Sequence, residues 1–259
     1  MIRRLVLIAS LATVAALAWC TTASASYHEN LIRQIHPSSN PLGGEWVELQ
    51  AYSAGQNLIS GNAVIRTFDP SGAQNSLYVI GSGPGPHPGS PNGQNQRTIL
   101  ISSLFQPSGV NADFVAPVDN LQMTGQDGAV CFSYNNSPTY TPIDCVSYGN
   151  FTGTLPSAGT PAVATPFEST LERSITRGCA TALDLADDTN NSSADFALST
   201  NPPRNNAATP TETPCTTPPG NPASPINPAG NVRQRKCKKK HKRSAEVAKK
   251  KKCKKKKKR

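Results

Sequence analysis

Glu45-Trp46-Val47-Glu48-Leu49-Gln50-Ala51-Tyr52 is the stretch whose reading decides the fold. Val47 and Leu49 alternate with Glu48 and Gln50, and a period of two puts successive side chains on opposite faces of an extended chain. One face is apolar and the other polar, so the run reads as a half-buried strand. Seven more runs of this type surround it: residues 31–35, 63–68, 76–80, 97–102, 113–116, 129–134 and 143–148. Gly, Pro, Asn and Ser separate them, and these residues supply turns. Eight short strands without a convincing amphipathic helix between them predict an all-β fold, an antiparallel sandwich or barrel. A parallel sheet would need crossover helices, for which the spacing leaves no room. Gly81 to Gln94 holds five glycines and four prolines and reads as an exposed loop. One short helix is expected around Ala180 to Leu185.

Outward from this block the composition changes twice. At the N-terminus, Arg3 and Arg4 precede an apolar run from Leu5 to Trp19, and Ala23-Ser24-Ala25 supplies small residues suited to signal-peptide cleavage after Ala25. The run is short of the ~20 residues that a membrane helix needs, so no transmembrane span is expected. A lipoprotein reading at Cys20 is weakened by the bulk of Trp19 before it. At the other end, Ala207 to Gly230 is rich in Pro, Thr, Asn and Ala and poor in large apolar residues, the composition of an extended linker. The expected organisation is a signal peptide over 1–25, a β-sandwich over 26–206, a linker over 207–230 and a disordered Lys-rich tail over 231–259.

Charge follows the same division. Residues 26–230 carry six arginines, no lysine and fifteen carboxylates, a net charge of −9, whereas residues 231–259 carry +17. The whole-chain charge of +10 therefore describes neither part. The tail cations expected to meet a polyanion are Lys236, Lys238, Lys239, Lys240, Lys242, Arg243, Lys249, Lys250, Lys251, Lys252, Lys254, Lys255 and Lys256. Such a segment acts by releasing counterions, so its binding is tight at low salt and collapses as salt rises. No Phe, Tyr or Trp is interleaved, so neither base stacking nor sequence reading is expected. Anionic cell-wall polymers, membrane surfaces and extracellular DNA are all candidate partners.

Beyond Cys20, six cysteines remain, an even number that in an exported chain favours disulfides over metal ligation. Six allow fifteen pairings, and spacing favours neighbours: Cys131 with Cys145, Cys179 with Cys215, Cys237 with Cys253. The first would close a loop of about 15 residues, stabilising by ~3 kcal/mol on the chain-entropy model.

Several runs taken together resemble the lamin-tail domain, an immunoglobulin-like sandwich, in the form found in exported bacterial (actinobacterial) proteins. The carrying residues are Ile32-Arg33-Gln34-Ile35-His36-Pro37 and Glu45-Trp46-Val47-Glu48-Leu49. Ser174-Ile175-Thr176-Arg177, Asp195-Phe196-Ala197-Leu198 and Pro202-Pro203-Arg204-Asn205-Asn206 match the family's closing part. The Cys131/Cys145 pair and the long Gly/Pro loop are not general features of lamin tails. The Lys/Cys-rich tail is similar to a terminal arm of such exported proteins. The resemblance implies a binding or scaffolding module without general catalytic activity.

Chemistry-bearing residues are sparse. His28, His36 and His87 belong to no recognisable nucleophile motif and read as surface or loop histidines. Glu45 and Glu48 could be paired for glycoside hydrolysis, but three residues apart on a strand they face opposite sides and read as outer-face or strand-end charges. Asp184, Asp187, Asp188 and Asp195, in an Asp/Asn-rich loop, are candidate ligands for Ca²⁺, with an ordinary Asx-rich turn as the alternative. No other cofactor is implied. The functional expectation is an exported, non-enzymatic module held near the cell surface by its basic tail. An extracellular nucleic-acid binder and a divergent extracellular hydrolase stand as the alternatives.

Overall fold

A computed structural model describes residues 26–38, 44–83, 91–117, 121–123, 125–135, 141–166 and 169–215. Among the described residues the body is an all-β sandwich, the class that the strand pattern predicts. Ten strands form it: β1 (Asn30–His36), β2 (Trp46–Ala51), β3 (Ala63–Phe68), β4 (Gln74–Val79), β5 (Thr98–Ser102), β6 (Phe114–Val115), β7 (Gly128–Tyr134), β8 (Pro142–Tyr148), β9 (Thr170–Arg173) and β10 (Phe196–Ser199). One sheet runs β10-β9-β1-β2-β5-β6 and the other β4-β3-β7-β8. Every pairing is antiparallel except β5 with β6.

The alternation in the sequence sets which residues face inward. Ile32, Ile35, Val47, Leu49, Ile99 and Ile101 of the first sheet meet Ile65, Tyr78, Val130, Phe132 and Val146 of the second in one buried cluster. The expectation for the other face of β2 needs correction. All six residues of β2 are buried, Glu48 and Gln50 included, because a C-terminal segment covers that face. Glu45 and Glu48 are therefore not solvent-facing charges: Glu45 is 7% exposed and Glu48 0%. The second sheet is covered too. Phe68, Ala129, Cys131 and Cys145 on its outer face pack against Phe151 and Ala158.

Two further expectations change. Strands β9 and β10 were outside the eight expected, being four residues each with little alternation. The helix expected at Ala180 to Leu185 is absent; a 3₁₀ turn over Leu185–Asp187 and a one-turn helix α1 (Ser192–Asp195) lie just beyond it. Local carboxylates explain the difference. Asp184 accepts from the backbone N–H of Cys179 at 2.6 Å and Ala186 at 2.7 Å, offering the chain an alternative to helical bonding. Gly178 permits this close return: its φ is +57°, and a Cβ there would lie 2.1 Å from Asp184 Oδ2.

Cysteine pairing follows spacing for two of the three expected bridges. Cys131 and Cys145 are direct cross-strand partners on β7 and β8 and are disulfide-bonded, as are Cys179 and Cys215. Cys237 and Cys253 lie outside the described residues, as does much of the Gly81 to Gln94 loop. Among the described residues, no helix is long and apolar enough to cross a membrane.

A buried charge joins the two sheets. Arg173 on β9 and Asp144 on β8 both point inward, and neither side chain is exposed. Arg173 Nη2 donates to both Asp144 oxygens at 2.8 and 2.7 Å, and Nε donates to the Ile32 carbonyl at 3.0 Å. Nη1 donates to the Asp187 carbonyl at 3.1 Å and to Asp188 Oδ1 at 3.3 Å, so all five guanidinium hydrogens have an acceptor within reach. Asp144 Oδ2 also accepts from the Ile32 N–H at 2.7 Å, and the Phe196 ring lies 4.6 Å from the guanidinium carbon. Burial pushes the Asp144 carboxyl up to about 6 against the pull of Arg173. Arg173→Met should cost about 3–5 kcal/mol in denaturant unfolding, because Asp144 stays buried without its partner. Adding Asp144→Leu should recover much of that loss; a double variant as unstable as the single one would show that the charge pair is not the cause.

Candidate functional site

The polar outer face of the six-stranded sheet is sealed by residues 201–215, which run over it as a strap. Arg204 fixes the strap to β2. Its backbone N–H donates to Glu48 Oε2 at 2.7 Å and its Nη2 to Glu48 Oε1 at 3.1 Å. The same guanidinium reaches Glu212 Oε2 at 2.8 Å and Thr211 Oγ1 at 3.0 Å. Asn206 adds a second anchor, donating its side-chain amide to the Thr98 carbonyl at 2.9 Å and its backbone N–H to Asp113 Oδ2 at 2.8 Å. Arg97 Nη1 donates to the carbonyls of Asn206 at 3.3 Å and Ala208 at 2.5 Å. Thr213 N–H bonds the Thr181 carbonyl at 2.9 Å, and the Cys179–Cys215 disulfide closes the end. The folded body thus continues nine residues past the boundary expected at Asn206, so the first part of the expected linker is structural.

The electrostatics under the strap are uneven. Burial pushes the Glu48 carboxyl up to about 7, although Arg204 and Arg33 pull the other way. Burial acts on Glu212 as well, but the hydrogen bond and charge of Arg204 prevail and hold it down to about 2. Arg33 pairs with Glu172 at 2.6 Å, and burial pushes its guanidinium below the ordinary range. Asp113 is pushed up to about 6 by burial despite the N–H groups of Leu100 and Asn206.

At one end of the strap lies a cleft of about 540 Å³. A row of paired residues crosses the sheet there: Ser199 opposite Thr170, His36 opposite Trp46, and Trp46 opposite Ser102. His36 Nδ1 sits 3.2 Å from Thr170 Oγ1, which links the two halves of the row. The His36 and Trp46 rings are stacked 5.4 Å apart and 4° from parallel. The loop after β5 brings Phe105 to one wall, and the start of the strap brings Asn201 to the other. Glu172 holds that second wall by accepting from Ser199 Oγ and from Asn201 Nδ2, the latter at 2.7 Å.

The sequence-predicted site residues fall in three groups. All thirteen tail cations lie outside the described residues. The four aspartates expected to hold Ca²⁺ are engaged otherwise. Asp184 and Asp187 cap backbone N–H groups, Asp187 accepting from Thr176 at 3.0 Å and Arg177 at 2.9 Å. Asp188 and Asp195 pair with Arg173, and Asp195 also with Arg177 at 3.0 Å. Among the described residues no group of three or more His, Cys, Asp or Glu is placed to hold a metal ion. The positive charge in this loop is a guanidinium, and its arginine lies outside the Asp/Asn-rich run in sequence. The cleft residues form the third group: His36 reads from sequence as a surface or loop histidine, and neither Trp46 nor Phe105 belongs to a chemical motif. Phe105 left a weak signal, as a large apolar residue in a loop of turn formers.

No family model and no curated protein matches the chain.

Opposite shifts on the two carboxylates beside Arg204 predict the pH dependence. Glu48 binds its proton more tightly folded than unfolded, so its contribution favours the fold in acid and is lost as pH rises from 4.5 through about 7. Glu212 does the reverse: its contribution is full above 4.5 and is lost as pH falls toward about 2. Unfolding free energies measured in denaturant across this range should therefore decline on the neutral side of pH 4.5. Glu48→Gln should make that decline shallower, Asp113 and Asp144 supplying the remainder. An unchanged slope would mean that Glu48 does not titrate there.

Proposed function

We propose that this chain is an exported, non-enzymatic binding or scaffolding module of the lamin-tail type, retained near the cell surface by electrostatic contact between its Lys-rich arm and a polyanion. The observation that carries the reading is the engagement of every arginine in the body. Arg33 pairs with Glu172, Arg173 with Asp144, Arg177 with Asp195 and Arg204 with Glu48 and Glu212. Arg97 donates to strap carbonyls and Arg66 to Gln74 at 2.8 Å. Residues 26–230 hold no other Lys or Arg. Recruiting any of these six outward would break a contact inside the body, so attraction for a polyanion falls to the arm. Its charge density favours counterion release and contact with phosphate- or carboxylate-rich polymers, without selection among sequences.

Export is supported by the apolar N-terminal run and by the two disulfides, which persist in oxidising compartments. A cell-wall polymer suits that location best, and extracellular DNA offers the same chemistry. A hydrolase reading would rest on the His36–Thr170 pair at 3.2 Å, since the body's described cysteines are oxidised. The stacking of His36 on Trp46 fits a structural use of that ring better.

Binding of the full chain and of a chain lacking residues 231–259 should be compared on purified anionic wall polymer and on duplex DNA. The full chain should bind both at low salt and lose on the order of 10³-fold affinity between 50 and 200 mM, while the shortened chain should bind neither. A salt wash of fractionated cells should likewise release the full chain. Equal low-salt binding by both chains would remove the arm from the mechanism. An esterase, phosphatase, nuclease and glycosidase panel that detected a turnover abolished by Thr170→Val would favour the hydrolase.

A further inference from the structure

The cleft beside His36 and Trp46 has a lining that differs in kind from the charged clusters of this molecule. Six hydroxyl-bearing residues and two side-chain amides contribute to it, with Phe105, His36 and Trp46 as its aromatic components. Among the described residues no Asp, Glu, Lys or Arg lines it. A charged ligand entering such a site would give up hydration without meeting a counter-charge, an unfavourable exchange. A purely apolar ligand would instead strip water from the hydroxyls. The ligand that matches both surfaces is uncharged, carries many groups that donate and accept hydrogen bonds, and has an apolar face of its own.

We infer that this cleft binds a neutral saccharide. A pyranose ring presents hydroxyls around its rim and C–H groups on its face. Phe105, 49% exposed, offers a flat apolar surface for that face. Ser108, Ser169, Thr170, Ser199 and Asn201 are the hydroxyl- and amide-bearing residues of the lining that surround it. The cleft volume of about 540 Å³ is of the order that small-molecule sites use and accommodates a short oligosaccharide.

The site is also held in shape before any ligand arrives. Its floor is sheet, with Ser199, Thr170, His36 and Trp46 fixed by strand register. The Phe105 loop is tied at its base, where Ser103 N–H donates to the Glu45 carbonyl at 2.8 Å and Ser103 Oγ accepts from Gly44 N–H at 2.7 Å. Further along, Gln106 Oε1 accepts from Ala112 N–H at 2.7 Å. Glu172 positions the opposite wall from beneath. A preorganised site loses less conformational freedom on binding, which matters for ligands as weakly held as neutral sugars.

Trp46 gives the test its readout. The sequence holds two tryptophans, Trp19 and Trp46, so Trp19→Phe in the full chain leaves Trp46 as the sole indole emitter. Cellotetraose, maltotetraose, mannotetraose and chitotetraose are titrated against that chain, with decaproline as a peptide comparison. At least one oligosaccharide should give a saturable change in Trp46 emission at millimolar concentration or below, with an affinity unchanged between low and high salt. Phe105→Ala should weaken that binding about tenfold, the loss of one aromatic contact, and Thr170→Val should weaken it as well. Both variants should melt where the parent does; if Thr170→Val does not, Phe105→Ala alone decides. The inference is overturned if none of the four sugars gives a saturable change, if Phe105→Ala binds as tightly as the parent, or if decaproline binds in their place. Salt-sensitive binding would also overturn it, since that behaviour belongs to a charged contact. Because the arm takes no part, deleting residues 231–259 leaves the expected result intact and separates this inference from the proposed surface retention.

Discussion

A β-sandwich needs its two inner faces to stay together, and here an ion pair shares that task with the apolar core. Arg173 leaves one sheet and Asp144 the other, and they meet where water does not reach. Their value is conditional: either group alone inside the fold is a liability, and the two together are close to neutral. What makes the pair tolerable is the completeness of its surroundings, with Ile32 contributing both a carbonyl to Arg173 and an N–H to Asp144. Register at β1, closure at β9 and the path of the Asp-rich loop are thereby coupled through one guanidinium. The loop after β9 is irregular because its carboxylates answer to that arginine and to backbone N–H groups.

The inner faces were legible in the sequence and the outer faces were not. Val47 and Leu49 announce a strand because alternation is a local signal. Nothing local says that Glu48 will be buried, since its cover comes from Arg204, more than 150 positions later. The same reason hides the strap. Pro, Thr and Asn look like linker because they cannot form a core, yet Asn206 satisfies a carbonyl of the folded sheet, while Thr211 bonds Arg204 and Thr213 bonds the Thr181 carbonyl. Strands β9 and β10 escaped because four residues give alternation too little room. The aspartates of the loop were seen as a cluster, but the cation they serve is contributed from a different strand. Cysteine spacing, by contrast, sufficed for two bridges, because nearest-neighbour pairing and strand pairing agree at Cys131 and Cys145. The cleft was least visible of all: its residues come from five separate places in the chain and none has a motif.

Charge is therefore used in two separate ways along this chain. Within the body nearly all of it is internal, each arginine being held to a carboxylate, an amide or a carbonyl. Beyond it, lysines accumulate without partners in sequence. A body whose cations are all engaged, and whose cleft is lined by neutral groups, would not compete with a polyanion-binding arm. On the proposed reading, segregation of this kind gives one chain a salt-sensitive surface and a salt-insensitive one.

The Cys179–Cys215 bridge has a mechanical consequence. Cys215 closes the strap and precedes the residues that lead to the arm, so tension applied beyond it enters the body through sulfur at Cys179. Residues 180–214 lie inside the covalent loop and outside the path of force. The bonds that Arg204 and Asn206 make to the sheet, and those that strap carbonyls accept from Arg97, are thus shielded from peeling, although the strap is close in sequence to the point of attachment. A domain tethered by its end in moving fluid would otherwise lose that strap first. With the bridge in place, the load is carried by a covalent bond into the turn at Cys179, and the sheet beneath keeps its cover.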